Sequence, residues 1–408
     1  MLYMRAPSRA LASGQALSAF HDVNEALGSP MKIKVERSAL MKALSHVQNV
    51  VERRNTIPIL ANVLLRAKDG ALTLAATDME IAAVEQVPAE ILRPGATTAP
   101  AATLYEIVRK LPEGASVELE HPGGDAQLAL RSGRYATSLV CLPVEDFPAL
   151  QEGALPHRFA LKAGVLRELI DRTRFAISTE ETRYYLNGVY LHVAESDGVR
   201  VLRAVATDGH RLARVEEDLP EGAAGMPGVI VPRKAVLELR KLLDDVPGQD
   251  LVEIALSDTK IRFAFGQITL TSKLIDGTFP DYDRVIPRDN DKLLRIAKKD
   301  FAEAVERVAA ISSERSRPVK LAIARQGLTL SAASPDQGTA SEEIDADRVE
   351  YDATPMEIGF QARYLRDITD QMADSARVEF KFHDGAAPTL IRAEGDPRAV
   401  YVLMPMRV

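Results

Sequence analysis

The sequence predicts an α+β protein of three pseudo-repeated domains, each an antiparallel sheet with two helices on one side. Three observations predict it. A strand-then-helix pattern recurs three times at intervals of about 130 residues, the size of one domain. A second strand-helix pair follows in each copy, and the rest alternates with period two between Asp, Gly and Pro turns, as antiparallel strands do. Two helices cannot cover both faces of such a sheet evenly, so they are placed together on one side.

Taken in chain order, residues 1–30 are rich in Ala and Ser, lack a clear period, and end in Gly28, Ser29 and Pro30. They read as an N-terminal extension, expected to be disordered. An upstream start codon explains them more simply than an organellar transit peptide, which would be Arg-rich and lack Asp22 and Glu25. The first domain, 31–153, opens with KIKVERSALMKALSHVQNVV from Lys32, an alternating strand followed by a helix striped with Leu40, Leu44, Val47 and Val51. Its second pair is TTAPAATLYEIVRKLP from Thr97. The second domain, 154–287, repeats the pattern from Arg158, with the stripe Val165, Leu166, Leu169 and Ile170, and again from Val229. The third, 288–408, does so from Leu293, with Phe301, Val305 and Val308, and again from Glu357. Ala71 to Ala75, Val199 to Ala206 and Leu328 to Ala332 are the clearest strands of the remainder. So long a period excludes a solenoid.

Composition narrows the function. A chain of 408 residues that is 46% hydrophobic can give each domain its own core. A net charge of −7 means that any contact with a polyanion is local. The single cysteine, Cys141, excludes a disulfide scaffold and a multi-cysteine zinc site, and no apolar run is long enough to span a bilayer. A soluble cytoplasmic protein is expected, with no membrane partner. Asp208, His210 and Cys141 are the candidate catalytic set, but no Gly-x-Ser-x-Gly, His-Glu-x-x-His or phosphate-loop signature accompanies them. Neither enzyme, cofactor nor metal is expected.

Comparing the copies isolates two special segments. Where the first copy has Thr77-Asp78-Met79-Glu80, the second has Thr207-Asp208-Gly209-His210-Arg211-Leu212, and only the third ends in the apolar Leu403-Met404-Pro405-Met406-Arg407-Val408. On the residues alone, Asp208-Gly209 is a hairpin turn and the methionines are core. An apolar terminus also suits an adaptable docking surface.

Several strings then carry a family resemblance: TIPILANVLL from Thr56, RYYLNGV from Arg183, ATDGHRLA from Ala206, FPDYDRVIP from Phe279, MEIGF from Met356 and the terminal MPMRV. From Met31 to Val408 the chain resembles the bacterial DNA polymerase III β subunit family, the sliding clamps. The resemblance implies a head-to-tail homodimer closed as a six-domain ring around double-stranded DNA, held without regard to sequence. It implies a groove for short peptides bearing a glutamine and apolar anchors. Leu186, Thr207, Gly209, His210, Arg211 and Leu212 would form one part of that groove, Pro280, Arg284 and Val285 another, and Val402, Met404, Pro405, Met406 and Arg407 the third. The implied partners are the replicative polymerase catalytic subunit, an ATP-dependent clamp loader, and other polymerases and repair proteins with clamp-binding peptides. Arg54, Arg183, Tyr184 and Tyr185 match DNA-contacting positions of the family, and Lys234, Arg240 and Lys241 join them on charge. Ser138 and Leu139 would meet Ala310 and Ile311 at the dimer interface. The six helix segments carry more Lys and Arg than Asp and Glu although the chain is acidic overall, the sign a DNA-lined lumen requires. Glu180 before RYYL, Pro388, and Val408 in place of the family's usual Leu depart from the pattern. The alternative is a multi-domain protein-interaction scaffold that does not bind DNA topologically.

Overall fold

A computed structural model describes residues 30–51, 56–124, 127–148, 153–311 and 318–407. Arg54, Val408 and all but the last residue of the predicted extension lie outside them. Six α-helices are found among the described residues, two in each copy: Arg37–Val47, Ala101–Lys110, Ala163–Arg174, Arg233–Leu242, Lys298–Ala309 and Ala362–Thr369. The first is shorter than its stripe implies: it ends at Val47, and Val51 is only half-buried beyond it.

The strands form two compact units, each holding parts of two copies. The first unit comprises the described residues up to Gly164 together with Leu237–Leu274. It holds a five-stranded sheet in the order Glu90–Arg93, Met31–Glu36, Ser116–His121, Leu128–Ser132, Tyr135–Leu139. Its second sheet has eight strands, in which Ile81–Pro88 of the first copy pairs antiparallel with Ile268–Lys273 of the second. The second unit, Val165–Val236 with Ile275–Val408, does the same one copy later. There Arg211–Asp218 pairs with Ala399–Leu403 inside a nine-stranded sheet, and a four-stranded sheet runs Gly338–Asp345, Gly327–Ser334, Pro318–Ala324, Met356–Gln361. Each copy thus divides its strands between two sheets; the first and third copies share one sheet with the second, which shares both. Continuous ladders leave fewer unpaired edges than isolated domains would.

Local chemistry explains the repetition. The hairpins 62–77 and 188–207 both turn on Asp-Gly pairs with positive φ, Asp69-Gly70 at 51° and 77° and Asp197-Gly198 at 49° and 78°, the conformation that matches the twist of the flanking strands. In the first copy the two helices pack on each other, with Leu40, Leu44, Leu104 and Val108 buried. Arg37 joins them, donating from Nε to the Val108 carbonyl at 3.0 Å and from Nη2 to that of Arg109, so a cation sits on the negative end of the second helix. His46 ties this copy to the next: its Nδ1 lies 2.7 Å from Glu85 and its Nε2 3.1 Å from Asp245. Burial opposes its charge, but the hydrogen bonds to Glu85 and Asp245 outweigh it and raise its pKa above 6.5. In the third copy Lys298–Ala309 and Ala362–Thr369 pair likewise, with Phe301, Val305, Val308, Leu365 and Ile368 buried.

Candidate functional site

The turn after Thr207 is built by its own side chains. The Thr207 hydroxyl donates to the Arg211 carbonyl at 2.8 Å and accepts from the Gly209 amide, while one Asp208 oxygen accepts from the amides of His210 and Arg211 at 2.9 and 3.0 Å. The first copy makes the same bonds with Thr77 and Asp78. Met79 adopts φ 78° where Gly209 has 88°, so the turn does not itself demand glycine. Arg183 lies against it: a Cβ on Gly209 would stand 2.5 Å from the guanidinium, the mobile end of that side chain, which would have to shift. Arg183, assigned to DNA from the sequence, therefore packs on the His210 turn.

Arg211 is turned inward rather than exposed along a groove wall. It is 7% exposed, with its guanidinium carbon 4.3 Å from the Tyr364 ring centre and 5.1 Å from that of Phe175. It donates to Asp208, to Asp367 on the helix Ala362–Thr369, and to the Phe175 carbonyl. Its planar fork, held by three acceptors, works as a strut between the second and third copies. Arg211→Met is expected to leave Asp208 and Asp367 short of a partner and to cost about 3–5 kcal/mol in denaturant unfolding. A loss under about 1 kcal/mol would show the strut to be dispensable.

The chain terminus closes against this turn. Strand Ala399–Leu403 pairs with Arg211–Asp218, then the Met404 amide donates to the His210 carbonyl at 2.9 Å and the Met406 amide to that of Gly359 at 2.7 Å. Pro405 and Met406 are half-buried and Arg407 is exposed. Leu186, Leu212 and Val402 are buried in one apolar cluster with Val205, Ile230, Phe279 and Tyr282, and so form a floor. Around it Val285 is 50% exposed and Met404 40%, with Pro280, Arg284 and His210 exposed beside them. Sequence reasoning missed Phe175, Tyr364, Asp367 and Gly359, whose local sequences carry no signal of the partners they meet.

The remaining assignments divide. Tyr184 is 54% exposed and Tyr185 packs against the floor cluster. Arg183 is held by both oxygens of Glu180, at 2.8 Å from Nε and 2.6 Å from Nη2, which raises the pKa of Arg183 and lowers that of Glu180. Arg240 is paired with Asp244, and Lys241 with Glu238 at 2.8 Å. Lys234 is half-buried on the same helix. Ser138 is exposed on the edge strand Tyr135–Leu139, but Leu139 is buried in its own unit, and the exposed apolar side chains there are Tyr135 and Val140. Ala310 is exposed, and Ile311 lies 3.8 Å from the Cβ position of Gly338, at the start of the outer strand Gly338–Asp345.

This arrangement is equipped to bind rather than to react. The Asp208 carboxylate is occupied by backbone amides and Arg211, and the His210 ring stacks on Tyr364 with centres 6.4 Å apart. Cys141 belongs to the other unit, and burial pushes its thiol pKa up, away from nucleophilic use. Among the described residues no group of His, Cys, Asp and Glu is placed to hold a metal, and no helix is long and apolar enough to cross a membrane.

Comparison with known proteins gives one family throughout. The N-terminal, central and C-terminal domains of the DNA polymerase III beta subunit match residues 31–151, 160–281 and 283–407. The beta sliding clamp of Caulobacter vibrioides is 53% identical over 378 residues, covering 93% of this chain and all of that protein. A crystal structure of the Caulobacter crescentus beta sliding clamp superposes with a TM-score of 0.90 at 52% identity, again over 93% of this chain and all of the other. The sliding clamp of Bartonella birtlesii bound to griselimycin gives 0.89 at 48%, with the same coverage.

Proposed function

This chain belongs to the DNA polymerase III beta subunit family, the beta sliding clamps, and from that premise we propose how its residues divide the work. It is a non-catalytic DNA sliding clamp. The finer reading is a homodimer closed head to tail as a six-domain ring, with domains 31–153, 154–287 and 288–408 in each protomer. One observation carries the ring. The first and third domains each present an outer strand, Tyr135–Leu139 and Gly338–Asp345, with no partner on its outer side among the described residues. Edges of this kind pair with another chain. Arg131 and Arg134 flank the first edge, and Glu342, Glu343 and Asp345 line the second, so their charges favour a heterologous contact.

A closed ring retains DNA by topology and needs only weak, sequence-blind contacts. The paired state of Arg183, Arg240 and Lys241 suits that need, since phosphate must compete with Glu180, Asp244 and Glu238 for each cation. The tethered enzyme gains a high effective concentration at its template, which is processivity. The groove over Leu186, Leu212 and Val402, rimmed by Val285 and Met404, receives apolar anchors while His210 and Arg284 meet polar groups of the ligand. Its ligands are short peptides on the replicative polymerase, an ATP-dependent clamp loader and repair proteins, all working in the cytoplasm. Griselimycin, bound by the Bartonella birtlesii clamp, is on this reading a probe of the groove.

The test is retention on a nicked circular plasmid, loaded with a cognate clamp loader and ATP, before and after the circle is cut once. Retention on the circle and loss on linearisation is the expected result. Equal retention on both forms would reduce the interaction to surface electrostatics and overturn the ring. No retention on either, with the loader active on a control clamp, would favour a scaffold without topological DNA binding.

A further inference from the structure

We propose that Tyr282 is the positioning residue of the Pro280–Val285 groove wall, and that His192 and Arg203 hold it in a proton-sensitive rung that makes ligand binding weaken in acid. The proposal rests on reading this groove as the ligand site.

Three side chains anchor the wall to the floor, Phe279, Tyr282 and the half-buried Ile286, and Tyr282 is the one in its middle. Pro280, Asp281, Asp283, Arg284 and Val285 are exposed, whereas Phe279 and Tyr282 are 8% and 6% exposed and enter the floor cluster. Tyr282 is the anchor nearest Arg284 and Val285, and its carbonyl accepts from the Val285 amide at 3.1 Å, so its position bears directly on theirs. Its ring is apolar packing, but its hydroxyl reaches the sheet beneath. There His192, Arg203 and Glu216 face one another directly across three neighbouring strands. The Arg203 Nη1 donates to the Tyr282 hydroxyl at 2.8 Å, and its Nε and Nη2 lie 2.8 and 2.7 Å from one Glu216 oxygen. The His192 Nε2 is 2.9 Å from the same hydroxyl, and its Nδ1 is 3.1 Å from the Val193 carbonyl.

Proton counting fixes the directions. A carbonyl only accepts, so the Nδ1 of His192 carries the hydrogen and Nε2 is the acceptor. The hydroxyl of Tyr282 accepts from Arg203 and gives its one proton to Nε2. Every member is then satisfied, and only with His192 neutral. Protonating His192 sets an N–H against that O–H and places a second cation beside Arg203. The other groups facing His192 are Tyr190, stacked at 4.4 Å between ring centres, Glu216, and Asp283, whose carboxylate is 3.6 Å from Arg203. Burial lowers the histidine pKa below 6.5, with Arg203 acting in the same sense and the Val193 carbonyl opposing. The neutral form is thus favoured in the assembled wall, and the arrangement loses support as pH falls below the ordinary histidine value.

The experiment measures griselimycin affinity of the full chain at about pH 7.5 and about pH 5.5, for wild type, Tyr282→Phe and His192→Gln. Tyr282→Phe keeps the ring and removes the hydroxyl, so about tenfold weaker binding is expected at the higher pH, with the dimer intact. Wild type is expected to lose about tenfold between the two pH values, and His192→Gln, which keeps an acceptor but cannot titrate, to lose much less. Contributions from other groups, His210 included, are common to both proteins, so the difference between them reports position 192. Should Tyr282→Phe fail to fold, the His192→Gln profile still decides. Identical pH profiles for wild type and His192→Gln, or undiminished affinity in a folded Tyr282→Phe, would overturn the proposal. No binding to wild type at either pH would instead overturn the groove reading on which it rests.

Discussion

Ile311→Asp is expected to turn the dimer into monomers at micromolar concentration in light scattering. Ile311 follows the helix Lys298–Ala309 and is half-buried beside Gly338, where the outer strand of the four-stranded sheet begins. An edge-to-edge contact is small, so a few apolar side chains at its end carry much of its energy. Replacing one with a carboxylate removes apolar burial and adds a charge that must be desolvated on closing. A penalty of about 3–5 kcal/mol weakens association by about a hundredfold to several thousandfold. Such a monomer should still bind griselimycin, because every proposed groove residue lies within the second unit. It should not be retained on circular plasmid. Ile311→Val, which keeps the apolar contact, should remain dimeric. An unchanged dimer for Ile311→Asp would show that the edge strands named here do not meet.

What could be read from the sequence follows from how far each interaction reaches along the chain. Helix stripes such as Leu40, Leu44 and Val47 are local periodicities, and Asp69-Gly70 and Asp197-Gly198 are local turn chemistry, so the triplicate pattern was visible. The pairing of Ile81–Pro88 with Ile268–Lys273, and of Arg211–Asp218 with Ala399–Leu403, joins strands from different copies. No local signal chooses such partners, so the sharing of sheets between neighbouring copies leaves no mark in the sequence. The same reason hid the strut. Arg211 looks like an exposed groove residue until Phe175, Tyr364 and Asp367, distant in sequence, close around it. The Gly209 turn is the opposite case: its hydrogen bonds are local and legible as a turn, whereas the approach of Arg183 beside it is not.

Deleting Met404 to Val408 is expected to abolish griselimycin and peptide binding while leaving the dimer intact. The strand Ala399–Leu403 precedes the cut and keeps its ladder to Arg211–Asp218, so the junction of the second and third domains survives. What goes is the rim. The Met404 and Met406 amides are hydrogen-bonded to the carbonyls of His210 and Gly359, which fixes the direction of the tail across the turn. With its backbone so held, the half-buried Pro405 and Met406 and the 40% exposed Met404 offer the groove an apolar wall without ordering cost. Burying a methionine side chain against a ligand contributes about 1.5–3 kcal/mol. Losing two such contacts therefore weakens binding by at least about a hundredfold, since each 1.4 kcal/mol is about tenfold. Single substitutions should divide that loss: Met404→Ala, at the more exposed position, should cost more ligand affinity than stability, whereas Met406→Ala should cost some of each. If the deletion bound griselimycin with wild-type affinity, the ligand would lie elsewhere, and the two tail hydrogen bonds would be no more than the tidy end of a strand.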